Sequence, residues 1–256
     1  VFGRENRFDH NYIGGKMNLG ATMVMRLGDS ISTDNRNSID SNYFAPKPRM
    51  GSNGGETLRI GSSANSLKVG NAQVVGNFFD RCNGEVEVLS IKSSNNLVKG
   101  NTFYECEGVL ALRHGNYNTV EANEFIGNLK PETGGLGVIN SKHTIQRNVF
   151  IGVTGRRFFA SLAVMNGVPN SAINRYHQVN GVHLSENIWL DCKEVAFGIG
   201  SDNERTAVPV NSVFENNVVA YQDIEGALHL DAMTHVLLPF EPIYIRFHSF
   251  PFRNNK

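Results

Sequence analysis

The segments Val98-Lys99-Gly100-Asn101-Thr102-Phe103 and Val120-Glu121-Ala122-Asn123-Glu124-Phe125 follow one pattern. It consists of an apolar residue, two variable residues, an asparagine, one variable residue and an aromatic residue. Similar segments surround six further asparagines, which are Asn11, Asn42, Asn77, Asn148, Asn187 and Asn217. Successive asparagines of the set are 31, 35, 24, 22, 25, 39 and 30 residues apart. The spacings of 22 to 25 define a repeating unit, and the longer ones indicate that unit with a loop insertion.

A repeat of this length, with short apolar runs and β-branched residues, predicts an all-β fold, a right-handed parallel β-helix. Each turn would form two or three short strands, and the next turn would stack about 4.8 Å above it. We expect the asparagines at the corners, because asparagine tolerates left-handed backbone angles and its amide can bond to neighbouring turns. The 26 glycines interrupt every candidate helix, and the fixed leucines of leucine-rich repeats are missing.

The length of 256 residues fits one large domain. We expect a single β-helix domain over residues 1–256 that lacks some amino-terminal turns, because Val1 already lies inside a turn. Residues 239–256 lose the asparagine pattern, which predicts a cap or an irregular tail. We find no signal-peptide pattern, a basic segment followed by an apolar one, after Val1. The sequence alone therefore does not indicate a cellular compartment.

Net charge and hydrophobicity argue against two classes of partner. Lysine and arginine together number 24, as do aspartate and glutamate, so the formal net charge is zero. Without a basic excess we expect no nucleic-acid partner. No apolar run approaches the roughly 20 residues that span a bilayer, so we expect no membrane partner either.

The three cysteines agree with the repeat. Cys82, Cys106 and Cys192 each lie five residues after a repeat asparagine. We therefore expect Cys82 and Cys106 to stack in adjacent turns as buried thiols. Neighbours about 4.8 Å apart are too distant for a relaxed disulfide, which needs β-carbons near 3.8 Å.

Three consecutive turns carry charges that a β-helix does not require. Glu85 and Glu87 are two residues apart on a predicted strand, so both side chains should leave the same face. Superposing the three turns by their spacing predicts two columns of side chains. One contains Gly61, Lys92 and His114, and the other contains Arg59, Ser90 and Leu112.

The paired carboxylates have two interpretations. Because they repel each other, a hard cation would stabilise them, and calcium prefers carboxylate and amide oxygens. Alternatively, the glutamates form a solvated face and pair with Lys92, Arg59 or Arg113. Strict alternation from Glu87 places Lys92 on the opposite face, unless a corner between Ser90 and Lys92 returns it to the same one.

Four motifs occur in order at consistent intervals. They are Asn53-Gly54-Gly55-Glu56-Thr57-Leu58-Arg59-Ile60-Gly61, Asn83-Gly84-Glu85-Val86-Glu87, Lys92-Ser93-Ser94 and Leu112-Arg113-His114-Gly115-Asn116. Shorter segments follow at Thr133-Gly134-Gly135, Val164-Met165-Asn166-Gly167-Val168-Pro169 and Tyr176-His177-Gln178-Val179. Over roughly residues 4–220 the chain resembles polysaccharide lyase family six, the alginate lyases that also include chondroitinase B.

The resemblance implies a lyase that cleaves a uronate polysaccharide, alginate, by calcium-assisted β-elimination. It also implies a secreted or periplasmic protein. Glu85 and Glu87 would be calcium ligands together with Asn53, for which Glu56 is an alternative as the third ligand.

The resemblance further assigns roles to the basic and aromatic residues. Lys92 would be the general base that removes the C5 proton of the uronate, for which its amine must be neutral. Arg113 would assist proton delivery to the leaving oxygen or hold the charge of the transition state. Four further residues would contact substrate, namely Arg59, His114, Tyr176 and His177.

Other functions remain open at this stage. A lyase acting on dermatan sulfate is one alternative, although a sulfated substrate favours a more basic cleft than zero net charge suggests. A non-catalytic carbohydrate-binding or tailspike-like β-helix is another. A β-helical glycoside hydrolase would need acid and base carboxylates about 5 to 9.5 Å apart. The sequence leaves mannuronate or guluronate preference, endo or exo action and oligomeric state open.

Overall fold

The computed structural model describes residues 1–28, 33–51 and 53–221, together with the strands Ala227–Leu230 and Ile243–Arg246. The described strands pair in parallel and form three sheets, named A, B and C here. Successive turns of the chain add a strand to each sheet, which confirms the all-β parallel β-helix. Two short 3-10 helices, Ser63–Asn65 and Arg157–Phe159, interrupt the described strands. No helix of the described residues is long and apolar enough to cross a membrane.

The strands of each sheet follow one another in chain order. Sheet A contains Arg7–Asp9, Ser38–Asp40, Gln73–Val75, Leu97–Lys99, Thr119–Glu121, Thr144–Gln146, His183–Ser185 and Val213–Glu215. Sheet B contains Tyr12–Ile13, Tyr43–Phe44, Phe78–Asp80, Thr102–Tyr104, Glu124–Ile126, Val149–Ile151, Ile188–Leu190, Val218–Tyr221 and Ile243–Arg246. Sheet C contains Met23–Met25, Leu58–Gly61, Glu87–Lys92, Val109–His114, Leu136–Val138, Leu162–Met165, Glu194–Ile199 and Ala227–Leu230.

The repeat asparagines form a ladder at the corner between sheets A and B. The side-chain Nδ2 of Asn101 donates to Oδ1 of Asn123 at 2.9 Å, and the backbone N–H of Asn101 donates to the same oxygen at 3.0 Å. Equivalent side-chain bonds of 2.9 to 3.0 Å join the other neighbours from Asn11 to Asn217. The predicted bonding of each amide to the next turn is therefore confirmed.

The left-handed backbone lies one residue before each ladder asparagine. Positive φ angles occur at His10, Ser41, Gly76, Gly100, Ala122, Arg147, Glu186 and Asn216. The expectation that the ladder asparagines themselves adopt this conformation was wrong. The preceding residue turns the chain, and the asparagine is free to bond both within its turn and to the next. Nδ2 of Asn101, for example, also donates to the carbonyl of Lys99 at 3.2 Å.

Stacked aromatic rings fill the core beside this ladder. Neighbouring ring centroids lie 4.5 to 5.7 Å apart along the column of Phe44, Phe79, Phe103, Phe125, Phe150, Trp189 and Phe214. The three cysteines are buried free thiols, as predicted. Cys106 donates to the carbonyl of Phe79 at 3.4 Å, and Cys82 donates to that of Phe44 at 3.6 Å. These two thiols thus bond to the preceding turn.

The predicted loop insertions lie at the two corners that flank sheet C, and the longest of them lies between sheet C and sheet A. The longest spacing, between Asn148 and Asn187, includes residues 166–182, which separate the strands Leu162–Met165 and His183–Ser185. This insertion carries Tyr176 and His177. The predicted cap or tail at 239–256 lies outside the described residues, except for the strand Ile243–Arg246, which pairs with Val218–Tyr221.

Removal of one amide from the middle of the ladder should destabilise the fold. Asn101→Ala leaves the buried donors and acceptors of the adjacent turns without partners, and each such group costs about 1–3 kcal/mol. We expect a lower urea midpoint for Asn101→Ala. The matched control is Asn18→Ala, since Asn18 is exposed and outside the ladder. Equal midpoints for the two variants would contradict a stabilising ladder.

A buried histidine predicts a loss of stability in mild acid. His143 accepts from the N–H of Asn118 at 3.1 Å and donates through Nε2 to the carbonyl of Ile139 at 2.8 Å, so it is neutral. Burial lowers its pKa from 6.5 to about 4. Between these values the unfolded chain binds a proton and the folded chain does not.

The free energy of unfolding should therefore fall as the pH falls from 6.5 to about 4, by at most about 1.4 kcal/mol per pH unit from this residue. His143→Asn should reduce that slope, because its amide does not titrate. Urea unfolding of both proteins across this range measures the difference. Identical slopes would exclude His143 as the source.

Candidate active site

Three acidic side chains lie together on sheet C. Glu56 and Glu85 each precede a strand by two residues, and Glu87 is the first residue of the strand Glu87–Lys92. One carboxylate oxygen from each glutamate lies within 4.8 Å of the other two. The sequence grouped Glu85 with Glu87 correctly, and Glu56 joins them from the preceding turn.

Two glycines allow Glu56 and Glu85 to approach. A Cβ added to Gly55 would lie 2.4 Å from the carbonyl oxygen of Gly84, and one added to Gly84 would lie 2.2 Å from that of Gly55. Neither position has room for a side chain, so the two turns contact each other through bare backbone. The glutamate that follows each glycine is consequently held close to the other.

Lys92 shares the face of the acidic cluster. Its Nζ lies 3.5 Å from Oε1 of Glu56 and 3.7 Å from Oε2 of Glu87. The lysine side chain is mostly buried, with 13% of its surface exposed. The amine is thus between two of the three carboxylates rather than in solvent.

A β-bulge at Val88 explains how Lys92 reaches that face. The pairing register with the following strand shifts between Glu87 and Leu89, which leaves Val88 as an extra residue. Val88 and Leu89 both pack into the core, so alternation restarts one residue later. The predicted corner between Ser90 and Lys92 was wrong, because the strand continues without interruption through Lys92.

His114 lies beside Lys92 in the next turn. The predicted column of Gly61, Lys92 and His114 is confirmed, since these residues pair across the three strands. The imidazole is buried, and its Nδ1 has no hydrogen-bond partner among the described residues. Burial, followed by the charges of Arg113 and Lys92, lowers the pKa of His114 to about 3. The ring is therefore neutral at ordinary pH.

A second bulge displaces Arg113. Arg59 pairs with Ser90 as predicted, but Ser90 pairs with Ala111 and not with Leu112. The prediction that Leu112 continues the column of Arg59 and Ser90 was wrong, because the superposition of the turns did not allow for the extra residue at Val88. The register shifts between Leu112 and His114, so Arg113 is the extra residue, which pairs with no residue of the neighbouring strand.

Two of the glutamates form ion pairs with the basic residues. Besides its contact with Lys92, Glu56 Oε1 lies 3.4 Å from Nη1 of Arg59. Glu87 Oε1 lies 3.5 Å from Nε of Arg113. The alternative interpretation, in which the glutamates are simply paired, therefore describes Glu56 and Glu87.

Glu85 differs from the other two glutamates. Only 7% of the residue is exposed, and among the described residues it has no ion-pair partner. Its Oε1 is buried without a hydrogen-bond partner in the described part of the chain. Burial and the charges of Glu56 and Glu87 raise the pKa of Glu85 to about 8. Simple pairing with basic residues does not account for this carboxylate.

Arg113 is oriented from several sides. Its guanidinium carbon lies 4.3 Å from the ring centroid of Tyr176, and its Nη1 donates to the carbonyl of Arg175 at 3.3 Å. Glu87 contacts its Nε from the other side. The same Tyr176 ring lies 5.2 Å from the guanidinium of Arg205. The inserted loop therefore holds Arg113 at the acidic cluster.

Two cavities meet at Glu85. One, of about 410 Å³, is lined by Asn53, Glu85, Glu87, Arg113 and Tyr176, among others. The other, of about 570 Å³, is lined by Glu85 together with Arg49, Arg156 and Lys193. Asn53 is exposed at the first cavity, so both candidates for a third metal ligand, Asn53 and Glu56, lie near Glu85.

His177 lies near His114 but outside the two cavities of the acidic cluster. It lines a third cavity, of about 410 Å³, with Asn116 and Gln178. Its neighbour Tyr176 faces the acidic cavity instead. The two residues that the sequence treated as one segment thus face different cavities.

Sequence reasoning missed two contributors to the site. The Ser90 hydroxyl donates to Glu87. Arg205 lines the cavity of the acidic cluster from a loop far along the chain. Strict alternation from Glu87 would place Ser90 on the opposite face, so only the bulge at Val88 brings the two residues together. No local pattern links Arg205 to the cluster.

Comparison with known proteins agrees with this arrangement of fold and site. The sequence model of the family described as chondroitinase B matches residues 1–250. The chain therefore belongs to the chondroitinase B family, and the resemblance to polysaccharide lyase family six is confirmed. Comparison with curated proteins found no match.

Solved structures show the same relationship. The alginate lyase AlyGC of polysaccharide lyase family six is 44% identical, with a TM-score of 0.86 over 96% of this chain and 36% of its own. A mannuronic acid specific family six lyase from human gut microbiota is 32% identical, with a TM-score of 0.81 over 90% of this chain and 51% of its own. The chain thus spans about a third to a half of the length of these two proteins.

Neutralising Glu85 should stabilise the metal-free protein. Glu85→Gln removes a buried carboxylate that faces two others, so we expect a higher urea midpoint at pH 8 in the presence of a chelator. The raised pKa means that wild-type Glu85 becomes protonated as the pH falls below about 8, so the gain should shrink toward pH 5. Glu124→Gln, at an exposed residue of sheet B, is the matched control. A lower midpoint for Glu85→Gln would contradict an unpaired Glu85.

Proposed function

We propose that this chain carries the catalytic site of a polysaccharide lyase that cleaves alginate by calcium-assisted β-elimination. The observation that carries the proposal is the position of Lys92 and Arg113 around three clustered glutamates, of which Glu85 has no ion-pair partner in the part of the chain that the structure describes. Family membership supports a polysaccharide lyase, and the two similar structures described above are named alginate lyase and mannuronic acid specific lyase.

The oxygen donors of the cluster fit calcium. Calcium–oxygen distances of about 2.3–2.6 Å allow two ligand atoms on one ion to be up to about 5 Å apart. The carboxylate oxygens of Glu56, Glu85 and Glu87 lie within 4.8 Å of one another. Glu56 and Glu85 each also have one buried oxygen without a partner among the described residues. Asn53, exposed at the same cavity, could add its amide oxygen.

The reaction begins with a weak acid. The proton on C5 of a uronate is hard to remove, because charge develops next to a carboxylate that is already negative. When bound by these glutamates, calcium would supply positive charge that offsets the uronate carboxylate and stabilises the enolate-like transition state. Arg113, and Arg59 on the neighbouring strand, would contribute further positive charge.

Lys92 would act as the base. In its deprotonated form the amine would accept the C5 proton, the electron pair of the C5–H bond would form the C4–C5 double bond, and the C4–O4 glycosidic bond would break. The departing oxygen takes up a proton, and Arg113 would assist its delivery or stabilise the charge on that oxygen. The bulge at Val88 is essential to this role, since it turns the amine of Lys92 toward the carboxylates.

The other predicted residues would bind the substrate. Arg59 and Tyr176 are partly exposed next to the acidic cluster and could contact the sugar directly. Neutral His114, behind Lys92, could offer a hydrogen bond but no charge. His177 would contact a sugar only in the neighbouring cavity. Because uronate polysaccharides are extracellular, we propose a secreted or periplasmic location.

A dermatan sulfate lyase is the second candidate. The chondroitinase B family description favours it. The acidic and basic groups of the site are nearly balanced, as is the whole chain, which provides less positive charge than a sulfated polymer would favour. A non-catalytic carbohydrate-binding β-helix would not need Lys92 and Arg113 beside an unpaired carboxylate.

Incubation with alginate should produce an unsaturated uronate, measured as a rise in ultraviolet absorbance. A calcium chelator should suppress the rise. Lys92→Ala and Arg113→Ala should each reduce the initial rate by at least about 100-fold, because each removes a group that acts in the transition state.

Lys99→Ala is the control, since Lys99 is exposed on sheet A and pairs with Glu121. It should retain the wild-type rate, and circular dichroism should show that all variants are folded. Cleavage of dermatan sulfate but not of alginate would favour the second candidate. Full activity of Lys92→Ala would exclude the proposed base, and activity unaffected by chelation would exclude calcium.

A further inference from the structure

A buried lysine lies behind the acidic cluster. Only 4% of Lys47 is exposed. Its Nζ donates to the carbonyl oxygens of Gly55 at 2.7 Å, Glu56 at 3.0 Å and Gly20 at 3.2 Å, and to Oγ1 of Thr22 at 3.2 Å. No carboxylate of the described residues lies within ion-pair distance of it. Neutral oxygens therefore surround this ammonium group.

Further contacts fix the backbone and the aliphatic stem of Lys47. Pro46 and Pro48 flank it and restrict the backbone on both sides. Its N–H donates to the carbonyl of Arg81 at 3.1 Å. A Cβ on Gly84 would lie 2.8 Å from Cε of Lys47, so the aliphatic stem packs against the bare backbone of Gly84.

These contacts connect Lys47 to two of the three glutamates. The amine holds the carbonyls of Gly55 and Glu56, and the stem packs on the residue before Glu85. The ammonium also places a fixed positive charge behind carboxylates that repel one another. A residue of this kind controls a metal site without touching the metal.

We propose that Lys47 is the positioning residue of the acidic cluster: its ammonium fixes the Gly55–Glu56 backbone so that the three glutamates converge on one cation. The inference rests on the proposed calcium site. Lys47 would not contact substrate, and the hydrogen bond from its amine to the carbonyl of Glu56 is its link to the cluster.

The surroundings of the amine suggest a direct test by chemical rescue. Truncation to alanine leaves three carbonyl oxygens and a hydroxyl facing the volume that the stem and ammonium filled. A methylammonium ion is small enough to occupy that volume and can donate to the same oxygens. Tetramethylammonium carries the same charge but has no N–H group and is bulkier.

Calcium affinity is the first measurement. Titration calorimetry on protein freed of metal should show that Lys47→Met binds calcium about 10- to 100-fold more weakly than wild type. Methionine keeps the stem that packs on Gly84 and removes only the ammonium. Lys99→Met, on sheet A, should bind calcium as wild type does. At calcium concentrations far above its weakened Kd, Lys47→Met should recover lyase activity, which general damage to the fold would not allow.

Thermal stability without calcium is the second measurement. Methylammonium chloride should raise the Tm of metal-free Lys47→Ala by more than it raises that of wild type. Tetramethylammonium chloride at equal concentration should not. This readout requires neither calcium nor activity.

The outcomes separate the two proposals. If the wild-type protein binds no calcium, the proposed calcium site is refuted. In that case the inference about Lys47 is also overturned if methylammonium gives no selective rise in the Tm of Lys47→Ala. If wild type binds calcium and Lys47→Met binds it equally well, Lys47 does not position the cluster. Should Lys47→Ala fail to fold, the calcium affinity of Lys47→Met decides the question.

Discussion

Hydrogen bonds between the side-chain amides of successive turns maintain the register on which the other features of the structure depend. Within the ladder an amide such as that of Asn101 is buried and bonds to the turns on both sides. A turn that slipped by one residue would break these bonds and would also move every side chain of its strands to the opposite face. The ladder thus keeps Glu56 and Glu85, which precede adjacent strands of sheet C in successive turns, next to each other.

The fold was predictable because its signal is periodic. Asn77, Asn101 and Asn123 repeat at intervals that only a stacked architecture explains, and the aromatic residue two positions later enters the core. The left-handed residue at each corner was assigned one position late. Its identity varies among glycine, alanine, serine, histidine, asparagine and charged residues, so composition gives no signal there.

The sequence predicted which residues form the candidate site better than it predicted their arrangement. Glu85, Glu87, Lys92 and Arg113 were identified from ordered motifs, and the structure brings them together. The two bulges were not predictable, because an extra residue such as Val88 looks like any other apolar strand residue. Arg205, which is distant in sequence from the cluster, was also missed, since no local pattern predicts its position.

The site combines opposite charges at short range while most of it is shielded from water. Arg59, Lys92 and Arg113 face three carboxylates, and the only cation behind those carboxylates, Lys47, bonds to neutral oxygens among the described residues. In such surroundings electrostatic interactions are stronger than in bulk solvent. Small displacements of a carboxylate therefore change which cation it contacts, and a substrate carboxylate would compete for the same partners.

The extra residue at Val88 also has a consequence for insertions and deletions in this strand. Whether two residues on a strand face the same way depends on the parity of their separation and on any bulge between them. Glu87 and Lys92 are five residues apart, an odd number, and the bulge at Val88 is what lets them share a face. Deletion of Val88 would leave them four residues apart in a regular strand, which again places both on one face, so a change of length here keeps the Lys92 amine in the cleft only where the bulge is gained or lost with it.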